Sequence, residues 1–174
     1  MEGMERSHPK LFRALGVLPS VFTTSLKEGT TPVCLHGARR LPVGLRKATE
    51  EQEKMESMGV REKVEKPTEW CSDMVVAQKS NGKVRIYVHL TPLNQSVRRE
   101  SYPMPRLKEA LSSLEGSRYF SKMNANSGFH QIGLSKESRA YTTFIAPFGR
   151  YHFCKLPFSI SAAPEFFKGR WQRY

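Results

Sequence analysis

Two β-prone runs flank an Asn81-Gly82 pair, and this pattern restricts the chain to folds that contain an antiparallel hairpin. The runs are Met74-Val75-Val76-Ala77-Gln78 and Val84-Arg85-Ile86-Tyr87-Val88. Asn-Gly readily adopts the positive φ angles that two-residue hairpin turns require. In the second run three apolar residues alternate with Arg85 and Tyr87, which therefore share the opposite face.

Helical signals lie on both sides of this hairpin. Thr49-Glu50-Glu51-Gln52 has the pattern of a capping box and Gly59 is suited to end a helix, so we expect a helix over roughly 50–58. Its Met55 and Met58 are expected in the core. A second helix is predicted from the apolar spacing of four residues before Gly116, namely Leu107, Ala110, Leu111 and Leu114.

Further strand signals and a last helix complete the pattern. A short strand is expected at 119–123, and a strand pair at 141–147 and 151–156 with its turn at Phe148-Gly149-Arg150. A final helix is expected from near Ala162, with Pro164 and Glu165 in its first turn. Helices and strands without a regular βαβ alternation indicate an α+β architecture.

The N-terminal part differs in composition. Residues 1–46 are rich in Pro, Gly and Thr and are typical of extended chain and turns rather than a packed unit. We therefore divide the chain into an extended N-terminal segment, 1–46, and a folded region, 47–174.

The charge is concentrated in the second part of the chain. Residues 71–174 contain 16 lysines and arginines against 6 acidic residues, a net charge of +10. Such an excess is typical of a surface that binds nucleic acid, or of a solvated surface that keeps a protein soluble. No window approaches the roughly 18 apolar residues of a membrane helix, and no secretory signal is present, so an intracellular protein without membrane contact is expected.

The residues suited to metal binding are sparse. Asp73 is the only aspartate among 16 acidic residues, and two-metal phosphoryl transfer needs converging carboxylates. Cys34-Leu35-His36 and His152-Phe153-Cys154 each place a cysteine and a histidine on one strand face. Neither spacing is that of a structural zinc site, so we interpret these side chains as packed or exposed and expect no metal.

An ordered series of short motifs resembles the reverse transcriptase of gypsy-type LTR retrotransposon Pol polyproteins. The resemblance covers roughly residues 35–174. The motifs are Trp70-Cys71-Ser72, Val84-Arg85-Ile86, Leu93-Asn94, Tyr102-Pro103-Met104-Pro105, the run from Phe120 to Ile132, Thr142-Thr143-Phe144, Pro147-Phe148-Gly149-Arg150-Tyr151, Leu156-Pro157-Phe158 and Ala163-Pro164. The resemblance implies the fingers and partial palm of a right-hand polymerase, truncated before the second catalytic aspartate motif.

One departure from the family concerns the metal. The family's Leu-Asp-Ala, whose aspartate binds magnesium, reads Met123-Asn124-Ala125 here. Asparagine lacks the negative charge, and Mg²⁺ prefers carboxylate ligands in a demanding octahedral shell. We therefore expect no intact catalytic residue and no cofactor for this chain, although the intact family uses magnesium.

The resemblance also implies a set of nucleotide-binding residues. Arg85 matches the finger arginine that contacts the triphosphate, and Lys79 is expected near the same phosphates. Phe129 matches the aromatic residue that excludes a ribose 2′-hydroxyl, with Ala125 and Phe158 in the same site. Solvated basic side chains and a core phenylalanine are the structural alternatives. A softer departure is Ser159, where the family has a glycine.

Two functions follow as expectations. The first is a truncated, degenerate reverse transcriptase-like domain whose ancestral activity is RNA-directed DNA polymerisation and which is catalytically inactive as this chain. The alternative is a non-catalytic basic module that binds nucleic acid, such as a primer–template duplex. Unpaired palm strands are expected to favour self-association.

Overall fold

The computed structural model describes residues 15–39, 45–78, 80, 84–99, 107–112, 114–120 and 125–171. It forms five α-helices and seven β-strands within these ranges, together with one 3₁₀ turn, Gly128–Gln131. In chain order these are β1 (Val21–Phe22), α1 (Leu45–Ser57), β2 (Arg61–Lys63), β3 (Ser72–Gln78), β4 (Val84–Val88), α2 (Thr91–Ser96), α3 (Leu107–Ser112), β5 (Gly133–Leu134), α4 (Lys136–Tyr141), β6 (Phe144–Ala146), β7 (Gly149–Phe153) and α5 (Ala163–Trp171).

Five strands form one sheet in the order β2-β7-β6-β3-β4. Its neighbouring strands are antiparallel except for β3 and β6, which run parallel. A separate parallel pair joins β1 to β5. This mixture of helices with a largely antiparallel sheet confirms the predicted α+β class.

The predicted hairpin is confirmed as β3 and β4. Val76 lies opposite Ile86, and Gln78 opposite Val84, at the end that leads to the turn. Val84 and Val88 are buried while Arg85 is exposed, as the alternation predicts. The Asn81-Gly82 pair lies outside the described residues.

The first helix begins earlier than its sequence signal. α1 starts at Leu45, so Thr49 lies inside the helix and its predicted capping role is wrong. Ala48, Gln52 and Met55 form the buried stripe, and this spacing extends the helix toward its N-terminus. The predicted end is correct, because Gly59 has a φ of +63° and Val60 N–H bonds the Met55 carbonyl. Met58 is exposed, in contrast to the expected core position.

The second half of the sheet differs from expectation in its details. β6 and β7 confirm the expected strand pair, but Gly149 and Arg150 belong to β7 and the turn is Pro147-Phe148. Tyr141, expected at the start of the first strand, instead ends α4, which the Ser135 side chain caps by accepting from Ser138 N–H. α5 confirms the predicted last helix.

Two expectations for residues 107–123 differ from the structure. α3 is present, but Leu111 and Leu114 of its predicted apolar stripe are exposed. Tyr119 and Phe120, expected in a strand, lie in no regular element and are strongly exposed. The rest of that expected strand falls outside the described residues.

The core lies between the sheet, α1 and the segments that cross over it. Its largest fully buried side chains include Phe144, Met74 and Leu93. The N-terminal segment contributes to it, because Phe22 of β1 is buried and its ring lies edge-on to Phe166 of α5. No helix in the described part of the chain is long and apolar enough to cross a membrane.

Candidate nucleic-acid interface

Four aromatic side chains from three segments meet at one end of the fold. The Phe129 ring centroid lies 5.0 Å from that of Phe158 and 5.3 Å from that of Phe167. The His130 ring lies edge-on to Phe158, with centroids 5.0 Å apart. Tilted and edge-on pairs at these distances are the favoured arrangements of aromatic rings. We call these four residues the aromatic cluster.

A tight turn positions Phe129 and His130. Ser127 adopts left-handed backbone angles (φ 49°, ψ 46°) just before the 3₁₀ turn, a conformation that is costly for a non-glycine residue. Gly128 follows, and a Cβ there would lie 3.0 Å from Cζ of Phe167 and 3.3 Å from Cβ of Ala125. A side chain at this position would therefore press on Phe167 and Ala125, which would have to move by a few tenths of an ångström.

Asn94 of α2 holds the loop that carries Phe158. Its Nδ2 donates to the Ser159 carbonyl, and its Oδ1 accepts from Ser161 N–H, both at 2.8 Å. An ion pair of 2.6 Å between Arg99 and Glu165 joins the same two regions. Ser159 does not have positive φ, so the serine at this position causes no backbone strain.

Burial differs within the aromatic cluster. Phe129 is partly buried and packs against the core, whereas the Phe158 side chain is 56% exposed. Burial lowers the pKa of His130 to about 4, so its ring is neutral at pH 7. The aromatic cluster thus exposes the uncharged ring of Phe158, while Phe129 beneath it packs against the core. Such a ring can stack on a nucleobase.

Arg85 lies on the exposed face of β4, apart from the aromatic cluster. Its Nη1 donates to the Tyr87 hydroxyl at 3.1 Å, and its guanidinium carbon lies 5.8 Å from the Tyr87 ring centroid. Within the described part of the chain, Arg85 makes no ion pair. A guanidinium with exposed donors beside a tyrosine can contact a phosphate.

The only aspartate of the sequence, Asp73, contacts two basic residues. Asp73 Oδ1 lies 3.2 Å from His89 Nδ1, and Asp73 Oδ2 lies 3.5 Å from an Arg39 guanidinium nitrogen. The Asp73 side chain is only 11% exposed. These contacts direct the carboxylate toward Arg39 and His89, in a strand that leads into the hairpin.

The structure brings together three of the predicted site residues. Ala125, Phe129 and Phe158 lie in or beside the aromatic cluster, while Arg85 lies on a separate strand. Lys79 and Asn124 fall outside the described residues, so their placement stays a prediction.

The sequence reasoning gave no role to three residues of this region. Asn94 belongs to the Leu93-Asn94 motif and lies in the helix that follows β4. Nothing else in the local sequence indicates that its amide holds another loop. His130 and Phe167 could not be assigned, because their contacts with residues about 30–40 positions away arise from the fold.

Comparisons with known proteins identify related sequences. The enzymatic polyprotein of Cauliflower mosaic virus (strain Strasbourg) is 35% identical over 92 residues, which are 53% of this chain and 14% of the polyprotein. The Pol polyprotein from transposon 412 of Drosophila melanogaster is 30% identical over 117 residues, which are 63% of this chain and 10% of that protein. No protein-family model matches the chain. The chain thus spans about a seventh or less of these polyproteins.

Comparison with solved structures identifies the fold. A crystal structure of the Prototype Foamy Virus protease-reverse transcriptase superposes with a TM-score of 0.81, covering 97% of this chain and 23% of the viral protein at 14% identity. A foamy viral protease-reverse transcriptase in complex with double-stranded DNA gives a TM-score of 0.75, covering 96% of this chain and 30% of that protein at 14% identity. The chain is thus similar in sequence to polyproteins of a virus and a retrotransposon, and its fold is that of part of a foamy virus protease-reverse transcriptase.

Proposed function

We propose that this chain is a reverse transcriptase-like segment that does not catalyse nucleotide transfer by itself. The observation that carries the proposal is Asn124, which stands where the family places a metal-binding aspartate. An amide offers a carbonyl oxygen but no negative charge, and two-metal transfer depends on carboxylates that hold both ions.

The structure offers no substitute carboxylate from the only aspartate. Asp73 lies on β3 and is paired with Arg39 and His89, so that a magnesium ion would have to displace two basic partners. Neither Asn124 nor Asp73 therefore supplies a carboxylate that fits the family's magnesium pair, and no catalytic step is assigned to either residue.

The test is extension of a labelled primer on an RNA or DNA template by the purified chain, with Mg²⁺ or Mn²⁺. An active reverse transcriptase serves as the positive control. An Asn124→Ala variant, purified identically, controls for contaminating polymerase. We expect no extension by either chain. Metal-dependent extension by the natural sequence that Asn124→Ala abolishes would overturn the proposal.

A second function, nucleic-acid binding, is favoured by the exposed face of β4. Arg85 and Tyr87 present a guanidinium and an aromatic ring there, in a region whose net charge is +10. Phosphate contacts by basic side chains supply sequence-independent affinity. The foamy viral protein with a similar fold was solved with double-stranded DNA, which supports the same assignment.

Binding is tested by fluorescence anisotropy of a primer–template duplex over a series of salt concentrations. We expect weaker binding with increasing salt, because counterions are released on association. Arg85→Ala should reduce the slope of log affinity against log salt by about 1. Lys66→Ala, an equal charge change at an exposed residue outside the basic region, is the matched control. No binding at about 50 mM salt would contradict this function.

Self-association is a further part of the proposal. Leu111, Leu114, Tyr119 and Phe120 lie within ten positions of one another in the sequence and are all exposed, and exposed apolar side chains favour contact with another molecule. Sedimentation velocity over a concentration series should show reversible association. A single monomeric species at every concentration would contradict it.

A further inference from the structure

Three side chains with metal-binding atoms converge on strands β2 and β7. Their ligand atoms, from Glu62, His152 and Cys154, all lie within 4.8 Å of one another. His152 Nε2 lies 2.7 Å from Glu62 Oε1. Glu62 is 90 positions from His152 in the sequence. The sequence therefore places only His152 and Cys154, which are two positions apart, near each other.

The strand register produces this convergence. Glu62 lies directly opposite His152 in the antiparallel pair, and Cys154 is the residue that directly follows β7, two positions after His152. The backbone of Cys154 is held on both sides, since its N–H bonds the Val60 carbonyl at 2.8 Å and its carbonyl accepts from Leu134 N–H at 2.9 Å. Backbone hydrogen bonds therefore hold both His152 and Cys154 in place.

The distances suit a metal after a small movement. Ligand atoms around a tetrahedral zinc ion with bonds of about 2.0–2.3 Å lie about 3.3–3.8 Å apart. All three ligand atoms already lie within 4.8 Å of one another, and the 2.7 Å between His152 Nε2 and Glu62 Oε1 would have to lengthen by about 0.6 Å, which the Glu62 side chain can supply because it is 53% exposed. The His152 side chain is only 17% exposed and keeps its orientation against the sheet.

One neighbouring group opposes a cation. An Arg139 guanidinium nitrogen lies 3.7 Å from Glu62 Oε1, so Arg139 and a metal would compete for this carboxylate. The Arg139 Nε donates to the Leu134 carbonyl, which keeps the side chain near the group. This competition makes Arg139 a sensitive test of whether Glu62 serves a metal or only an ion pair.

We propose that Glu62, His152 and Cys154 bind a divalent transition-metal ion of the Zn²⁺ type, with a fourth position open to water. Nitrogen, sulfur and oxygen ligands together favour Zn²⁺ over Mg²⁺. Binding converts the Cys154 thiol to a thiolate and releases its proton to solvent. The ion would fasten β2, an edge strand of the sheet, to β7.

Cobalt(II) titration of the purified chain is the test, because a thiolate–cobalt bond gives a charge-transfer absorption band and the visible bands report tetrahedral coordination. We expect a band that saturates at one equivalent and that added Zn²⁺ removes. Cys154→Ser should abolish the band, whereas Cys34→Ser, the matched control at another half-buried cysteine, should retain it. No saturable band, or one that survives Cys154→Ser, would overturn the proposal.

Three further variants separate metal binding from a fold defect. His152→Gln and Glu62→Gln, checked for native circular dichroism, should each weaken Co²⁺ binding at least tenfold. Arg139→Gln should strengthen it several-fold because the competing cation is gone. Unchanged or weaker binding by a folded Arg139→Gln protein would contradict Glu62 as a ligand.

Discussion

The ring of Phe129 lies 5.0 Å from the ring of Phe158, and only the second is largely exposed to solvent. One residue therefore supports the aromatic cluster from below and the other forms its open face. The sequence leaves Phe129 as either a nucleotide-binding residue or a core residue. The two interpretations are compatible, because a residue that packs on the core can still border an exposed surface.

The first prediction is that Phe129 contributes mainly to the stability of the fold and Phe158 mainly to binding of nucleic acid. Phe129→Ala should destabilise the fold by about 2–4 kcal/mol, because it removes a partly buried ring that contacts two others. Phe158→Ala should cost less than about 1 kcal/mol, because its ring is already exposed, yet it should weaken binding of single-stranded nucleic acid. Denaturant unfolding and anisotropy measure the two effects. Equal destabilisation by both variants would contradict the division of roles.

The second prediction concerns the two hydrogen bonds of Asn94. Asn94→Ala leaves the Ser159 carbonyl and the Ser161 N–H without this partner, and should destabilise the fold by about 1–3 kcal/mol. The matched control is Asn126→Ala, at an exposed residue, with an expected change below about 0.5 kcal/mol. Both are measured by urea unfolding. A neutral Asn94→Ala would show that the loop carrying Phe158 is held by other contacts.

The third prediction follows from the partly buried ring of His130. Its pKa is about 4 in the folded chain and about 6.5 when unfolded, so the unfolded state binds more protons between these values. The contribution of the neutral ring is complete above pH 6.5 and is lost as the pH falls toward 4. The difference corresponds to at most about 3 kcal/mol.

Thermal unfolding from pH 7.5 to 4 checks this dependence. The natural chain should lose more stability across that range than His130→Gln, which cannot titrate there. Other acidic groups contribute equally to both proteins, so the difference between the two curves isolates His130. Parallel curves would contradict the buried neutral histidine.

Sequence reasoning predicts the local elements better than the contacts between them. The β3–β4 hairpin was predictable because its turn residues and its alternation of apolar residues lie within a single short segment. The start of α1 was not, because burial of Ala48 against the rest of the fold outweighs the capping signal at Thr49.

The candidate site shows the same division. Arg85 and Phe129 were recognisable from family motifs, and the structure places Phe129 in contact with Phe158. The support from Asn94 and the convergence of Glu62 on His152 depend on pairings across 65 to 90 positions, which no local pattern encodes. The exposed Leu111 and Leu114 likewise show that an amphipathic stripe predicts a helix without showing what covers it.

The most direct measurement of the central claim is a single-turnover primer-extension experiment. Protein is held in excess over a labelled primer–template duplex, at a low salt concentration where anisotropy shows the duplex bound, and nucleotides are added with Mg²⁺. We predict that the duplex stays bound and that the primer length is unchanged, because Asn124 cannot replace the metal-binding carboxylate. Primer elongated by even one nucleotide, in a metal-dependent reaction that the Asn124→Ala chain lacks, would contradict the account.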